Sequence, residues 1–136
     1  MGIPFVLLAD ADGEHTNRFE SIFEKEIAYA TVVAKENGKS LLHFLSTCPW
    51  DHLPSLILLT YRLSDMTAPD LLRELLPDTR FLAIPKVILT DRDYKTEIDE
   101  CKILGVRHFL KKDETVFECE SNVRRIDTML KSELAL

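Results

Sequence analysis

No apolar run in the 136 residues is long enough to cross a bilayer, and neither a GxGxxG nor a GxxxxGK[ST] loop occurs anywhere. The first absence argues against a spanning helix, and the second removes the two common nucleotide-phosphate loops. The opening Met1-Gly2-Ile3-Pro4-Phe5-Val6-Leu7-Leu8-Ala9 lacks a basic stretch and meets Asp10 too early for a secretory leader. Cysteine is scarce. Cys48, Cys101 and Cys119 form no CxxC and, being three, cannot all pair internally, so reduced thiols in a cytoplasmic protein are expected. Cys119 and Cys101 fall at apolar helical positions that suit core packing, and Cys48 lacks the neighbours of a catalytic thiol. His15, His43, His52 and His108 show no metal-ligand spacing. Positive charge is the minority: 17 basic against 23 acidic residues give a net charge of −6. This disfavours long-range attraction to nucleic acid or an anionic membrane, and Lys111-Lys112 and Arg124-Arg125 are too short to reverse it. Repeats, linkers and low-complexity stretches are missing as well.

What is present is an alternation. The length suits one domain over 1–136, able to bury a core without metal or disulfide support. Hydrophobic (46%) and charged (29%) fractions are those of an ordinary globular chain. Apolar runs at 5–9, 31–34, 56–59, 86–90 and 107–111 read as strands. Between them, Phe19, Ile22, Phe23 and Ile27 recur at helical spacing, as do Leu41, Leu42, Phe44 and Leu45, and Leu71, Leu72, Leu75 and Leu76. Asn37-Gly38 is a strand-to-helix turn, because the segment after it is helical. Residues 48–54, with two prolines and the single tryptophan, form a loop into the third strand. Pro69 suits the first turn of the third helix and Pro77 stops it. A fourth helix is expected from about Tyr94 to Leu104, with Gly105 as its C-terminal cap. Val116, Cys119, Val123, Ile126, Leu130 and Leu134 mark a long last helix. Five strands alternating with five helices, with right-handed crossovers, give an α/β doubly wound parallel sheet of flavodoxin-like type: a three-layer α/β/α sandwich. Such folds work at the carboxyl ends of their strands. Here those ends carry Asp10, Thr60, Thr90 and Lys112.

These ends, with Val6-Leu7-Leu8-Ala9-Asp10, Leu53-Pro54-Ser55-Leu56-Ile57-Leu58-Leu59, Ile84-Pro85-Lys86-Val87-Ile88-Leu89-Thr90 and Leu104-Gly105-Val106-Arg107-His108-Phe109-Leu110-Lys111-Lys112, resemble the receiver domain of bacterial two-component response regulators. The likeness extends from Phe5 to about Leu134. It is strongest to the small stand-alone type with an extended loop before the third strand. It implies the strand order 2-1-3-4-5. It also implies a chemistry: two acids after the first strand and an acceptor aspartate after the third hold Mg²⁺, while a hydroxyl and a lysine grip the phosphoryl oxygens.

On that alignment Asp10 matches the first acid, Thr90 the switch hydroxyl, Lys112 the phosphate lysine and Phe109 the switch aromatic, without a phenol hydroxyl. Ala11 replaces the second acid and Thr60 the acceptor, while Asp113 replaces the usual proline after the lysine. The turn after the third strand normally carries Pro and Gly, and here shows Ser64 and Ala68. One carboxylate remains of three, so no metal is expected, with Asp12, two residues on, as the alternative oxygen donor for a Mg²⁺ ion. Lys112 is expected to pair with Asp10.

The resemblance therefore implies a pseudo-receiver. This would be a phosphorelay-type signalling module that is not an enzyme, is not phosphorylated at Thr60, and binds a protein partner such as a histidine kinase or forms a homodimer. Contacts are expected through Tyr94, Ile98 and the last helix, with no output domain, nucleic acid or membrane involved. Two alternatives stay open. One is a working phosphorelay receiver whose acceptor carboxylate is displaced, with Asp65 in the following loop as a candidate. The other is an unrelated flavodoxin-like ligand-binding protein.

Overall fold

The computed structural model describes residues 2–91 and 95–136. Five parallel strands form one sheet in the order β2-β1-β3-β4-β5. They are β1 Phe5–Ala9, β2 Thr31–Lys35, β3 Leu56–Thr60, β4 Lys86–Thr90 and β5 His108–Lys111. The helices between and after them are α1 Gly13–Glu26, α2 Gly38–Thr47, α3 Ala68–Leu75, α4 Lys95–Ile103 and α5 Val116–Leu134.

The sheet lies between two apolar layers, and the period-two alternation of strand side chains decides which residue enters which layer. Leu7, Ala9, Ile57, Leu59 and Ile88 face α2, α3 and Cys101 of α4. Val6, Leu8, Leu56, Leu58, Val87, Leu89 and Leu110 face Phe19 and Phe23 of α1 and Cys119, Val123, Ile126 and Leu130 of α5. With both faces covered, β1 and β3 are buried along their whole length, which is why they read as unbroken apolar runs rather than alternating ones. Each fully buried leucine contributes about 1.5–3 kcal/mol of transfer free energy. All three cysteines are buried free thiols.

Local chemistry sets where the helices begin and where they stop. Asp12, Asn37 and Thr115 cap α1, α2 and α5 through their side chains, and Thr67 with Asp70 forms a capping box at α3. Such caps are worth about 1 kcal/mol each. Pro69 sits in the first turn of α3, and the helix stops at Leu75, ahead of Pro77. Gly105 takes φ +99°, donates its N–H to Lys102 (3.0 Å), and is followed by Val106 N–H to Cys101 O (3.1 Å). This is the left-handed closure expected for that glycine.

Several details differ from the sequence reading, among them β2, which runs on to Lys35. β3 runs on to include Thr60, and β5 begins at His108 rather than Arg107. Val116, in the first turn of α5, is exposed, and the buried residues of that helix begin at Cys119. Tyr94, expected to start α4, lies outside the described residues, and among the described ones α4 spans Lys95–Ile103. No described helix is long and apolar enough to cross a membrane.

Candidate functional site

The register of the sheet brings the sequence-derived residues to one edge. Ala9 pairs with Leu59, so Asp10 follows beside Thr60, and Thr90 pairs with Lys111, so Lys112 follows beside Thr90. Asp10, Thr60 and Thr90 are all buried, and Lys112 is mostly so. Ala11 is exposed and offers no side-chain donor.

Asp10 is fully engaged. Its Oδ1 accepts the Asp12 N–H (3.0 Å) and faces the Lys112 ammonium at 3.4 Å, so the expected pair is present. Its Oδ2 accepts a closer hydrogen bond, from Nδ1 of His15. The His15 imidazole is 1% exposed and donates at its other end, through Nε2, to Oδ1 of Asp113 at 2.7 Å. Asp113 in turn receives Arg18 through Nε (3.2 Å) and Nη2 (2.9 Å) on Oδ2, and Arg18 Nη2 also reaches its backbone carbonyl at 2.9 Å. Asn122 of α5 donates to Lys111 O (2.9 Å) and approaches Asp113 Oδ1 at 3.4 Å. A buried line of alternating charge thus runs from the end of β1, through α1, to the loop after β5.

The protonation of this line follows from its partners. Burial alone would lower the pKa of His15, but hydrogen bonds and charge from Asp10 and Asp113 override it and raise the value to about 9. His15 is therefore an imidazolium at neutral pH, with both ring N–H groups donating. Burial would raise Asp10 and Asp113, yet the hydrogen bonds from His15 and the neighbouring cations hold both below the usual carboxylate range. Asp10, Asp12 and Asp113 face His15, Arg18 and Lys112, three charges against three.

The donor set does not match a hard dication, which needs several anionic oxygens free to converge. Asp12 Oδ1 caps α1, accepting from Glu14 N (3.1 Å) and His15 N (3.2 Å), and its Oδ2 lies 3.9 Å from Lys112. Both oxygens of Asp10 are occupied from within the chain. Among the described residues, no three His, Cys, Asp or Glu side chains have metal-holding geometry. Among the described residues, buried Thr60 Oγ1 has no hydrogen-bond partner, an arrangement that costs about 1–3 kcal/mol.

Asp65, the candidate displaced acceptor, is elsewhere. Its two oxygens accept the N–H groups of Gly38 and Lys39, each at 2.9 Å, at the amino end of α2. Burial would raise its carboxyl, but those bonds and the charge of Lys39 hold it below the ordinary range. Phe109 is half-buried against the α2/α3/α4 layer, and Ile98 is half-buried on α4.

With this geometry in view, comparison with known proteins is direct. No family model matches the chain. The two-component response regulator ORR5 of rice (Oryza sativa subsp. japonica) is 29% identical over 111 residues, covering 82% of this chain and 79% of that protein. The crystal structure of the phosphorylated cyanobacterial phytochrome response regulator RcpA superposes with a TM-score of 0.84 at 19% identity, over 96% of each chain. The Mn²⁺-bound response regulator Rcp1 gives 0.79 at 19% identity, over 92% of each. A receiver domain from Rhodospirillum rubrum gives 0.76 at 24% identity, over 96% of this chain and 94% of that one. The fold is that of the response-regulator receiver domain.

Within the receiver fold, sequence reasoning placed Asp10, Thr60, Thr90 and Lys112 together and missed His15, Arg18 and Asp113. A signal was present: His15 lies four residues before Phe19, so it falls on the buried face of α1. Asp113 was visible only as the residue standing where proline is usual.

Proposed function

We propose that this chain is a receiver-fold signalling module that works without phosphoryl transfer and acts by binding a protein partner. The observation that carries the reading is the occupancy of Asp10: His15 and Lys112 neutralise it from within the chain, where the receiver resemblance would have a metal. Thr60 supports the same reading, because a histidine-kinase donor needs a carboxylate acceptor at that strand end. Asp10, Ala11, Thr60, Thr90 and Lys112 are then the positions of a degenerate acceptor site, with Phe109 as a switch aromatic that answers no phosphoryl group. No enzyme activity and no Mg²⁺ requirement follow from this arrangement. A histidine kinase or another cytoplasmic signalling protein is the class of partner, and 1–136 acts as one module. The engagement of Asp65 at α2 speaks against a displaced acceptor.

One experiment tests the proposal. Incubated with acetyl phosphate and Mg²⁺, the protein should show no added phosphoryl mass. Millimolar Mg²⁺ should leave its melting temperature unchanged, since stabilisation requires ligand above its dissociation constant. A stoichiometric, hydroxylamine-labile mass gain would overturn the reading. So would a thermal shift that saturates below about a millimolar.

A further inference from the structure

At the opposite end of the sheet from Asp10, the amino ends of β4 and β5 meet the carboxyl ends of α3 and α4. A cavity of about 650 Å³ opens there. Leu76, Leu82 and Ile103 line it and stay in contact with water, Leu82 at 57% and Ile103 at 85% exposure. Three large aliphatic side chains left exposed around one concavity form a patch of the kind that marks an interaction site.

The charge around it runs against the rest of the molecule. In a chain of net charge −6, the groove is lined by Lys86 and Arg107 against the single acid Glu133. Lys86 is the informative one. Its ammonium is half-buried at the start of β4, and burial disfavours its charge. Among the described residues its one hydrogen-bond acceptor is the carbonyl of Phe81, although an ammonium has three donors. An incoming carboxylate would meet a cation that the fold has already partly desolvated.

We propose that this groove docks an acidic amphipathic helix of a partner protein, with its aliphatic stripe on Leu76, Leu82 and Ile103 and its carboxylates towards Lys86 and Arg107. The volume alone would suit a small molecule. A molecule confined to the cavity, however, would cover only the part of Ile103 that lines it, and that side chain is 85% exposed. A helix presenting apolar residues at i, i+3, i+4 and i+7 covers floor and rim together. The surface lies away from the strand-end cluster and does not depend on the reading of that site.

The test uses three fluorescein-labelled peptides of about four helical turns. One carries leucine at the helical stripe with glutamate on both flanks, one the same stripe with lysine, and one a scrambled order of the first. Anisotropy titrations should show the glutamate peptide binding the full chain about tenfold tighter than either control, weakening with added salt. Ile103→Ser and Arg107→Glu, both at exposed positions, should each weaken it about tenfold, as loss of an anchor or a complementary charge does. Equal binding of the acidic and basic peptides overturns the proposal, as does indifference to both substitutions or the absence of any binding. Binding of decanoate at this groove with no peptide binding would instead assign a small-ligand pocket. Self-association abolished by Ile103→Ser would assign the face to a second copy. Either result also overturns the proposal.

Discussion

Substituting His15 with alanine should lower the unfolding free energy by about 3–5 kcal/mol, the cost of removing one partner from a buried ion pair. The imidazolium lies between two carboxylates that are almost wholly shielded from water, Asp10 at 3% and Asp113 at 4% exposure. Without it, Asp10 keeps a Lys112 contact of 3.4 Å, and Asp113 keeps Arg18 at 2.9 Å. Asp10 Oδ2 would lose its bond from His15, and Asp113 Oδ1 would be left with the long Asn122 contact at 3.4 Å. Domains are stable by only about 5–15 kcal/mol, so the loss should be plain in a urea titration at pH 7. Adding Asp113→Asn to His15→Ala should cost much less than Asp113→Asn does alone, because the two residues act through each other. A loss under about 1 kcal/mol for His15→Ala, or strict additivity in the cycle, would show that the line of charge is not structural.

The second large effect is a loss of stability in mild alkali. The pKa of His15 is raised in the folded state to about 9, against about 6.5 for an unfolded histidine. A group whose folded value is raised contributes fully below its unfolded value, and the contribution is lost as pH rises through the folded one. The window is therefore about pH 6.5 to 9, with a total of roughly 3 kcal/mol at 1.36 kcal/mol per pKa unit. Asp113 works in the other direction. Its value is depressed by His15 and Arg18 against burial, so its contribution is present above about pH 4 and lost as acid is added. Unfolding titrations of the wild type across pH 6–9.5 should fall by about 3 kcal/mol relative to His15→Gln, which has no ring to titrate. Parallel profiles for the two proteins would rule out a buried imidazolium.

The fold was open to sequence reasoning because burial writes itself into composition. Leu56 to Leu59 reads as an apolar run because both faces of β3 are covered, and Gly105 could be assigned because left-handed backbone favours that residue. The strand-end residues were equally legible, since topology alone delivers Asp10, Thr60, Thr90 and Lys112 to one edge. The charge line was not legible. It needs an aspartate and a histidine separated by 98 positions to meet in a hydrogen bond, and no local pattern encodes such a meeting. Pairing histidines with one another for metal spacing also looked for the wrong partner, because the groups flanking His15 are carboxylates. Asp12 is a further case. Its spacing from Asp10 suited a ligand, but the helix that begins beside it claims its side chain first.

The span of that contact has a kinetic consequence. His15 and Arg18, near the start of the chain, reach Asp113 across 98 and 95 positions, so the contact closes only when β5 has joined the sheet. Contacts of such separation bear the loop-closure entropy of most of the chain, and the line of charge should be absent from the rate-limiting folding step. A stabilising interaction that forms late acts on the escape rate from the native state rather than on the rate of reaching it. In stopped-flow chevrons, Asp113→Asn, which removes only the long-range side of the line, should leave the folding arm nearly in place and raise the unfolding arm. An equal shift of the folding arm would mean that the two ends of the chain meet early. On this account the contact with Asp113 acts chiefly as a latch, setting how long the folded molecule lasts once it has formed.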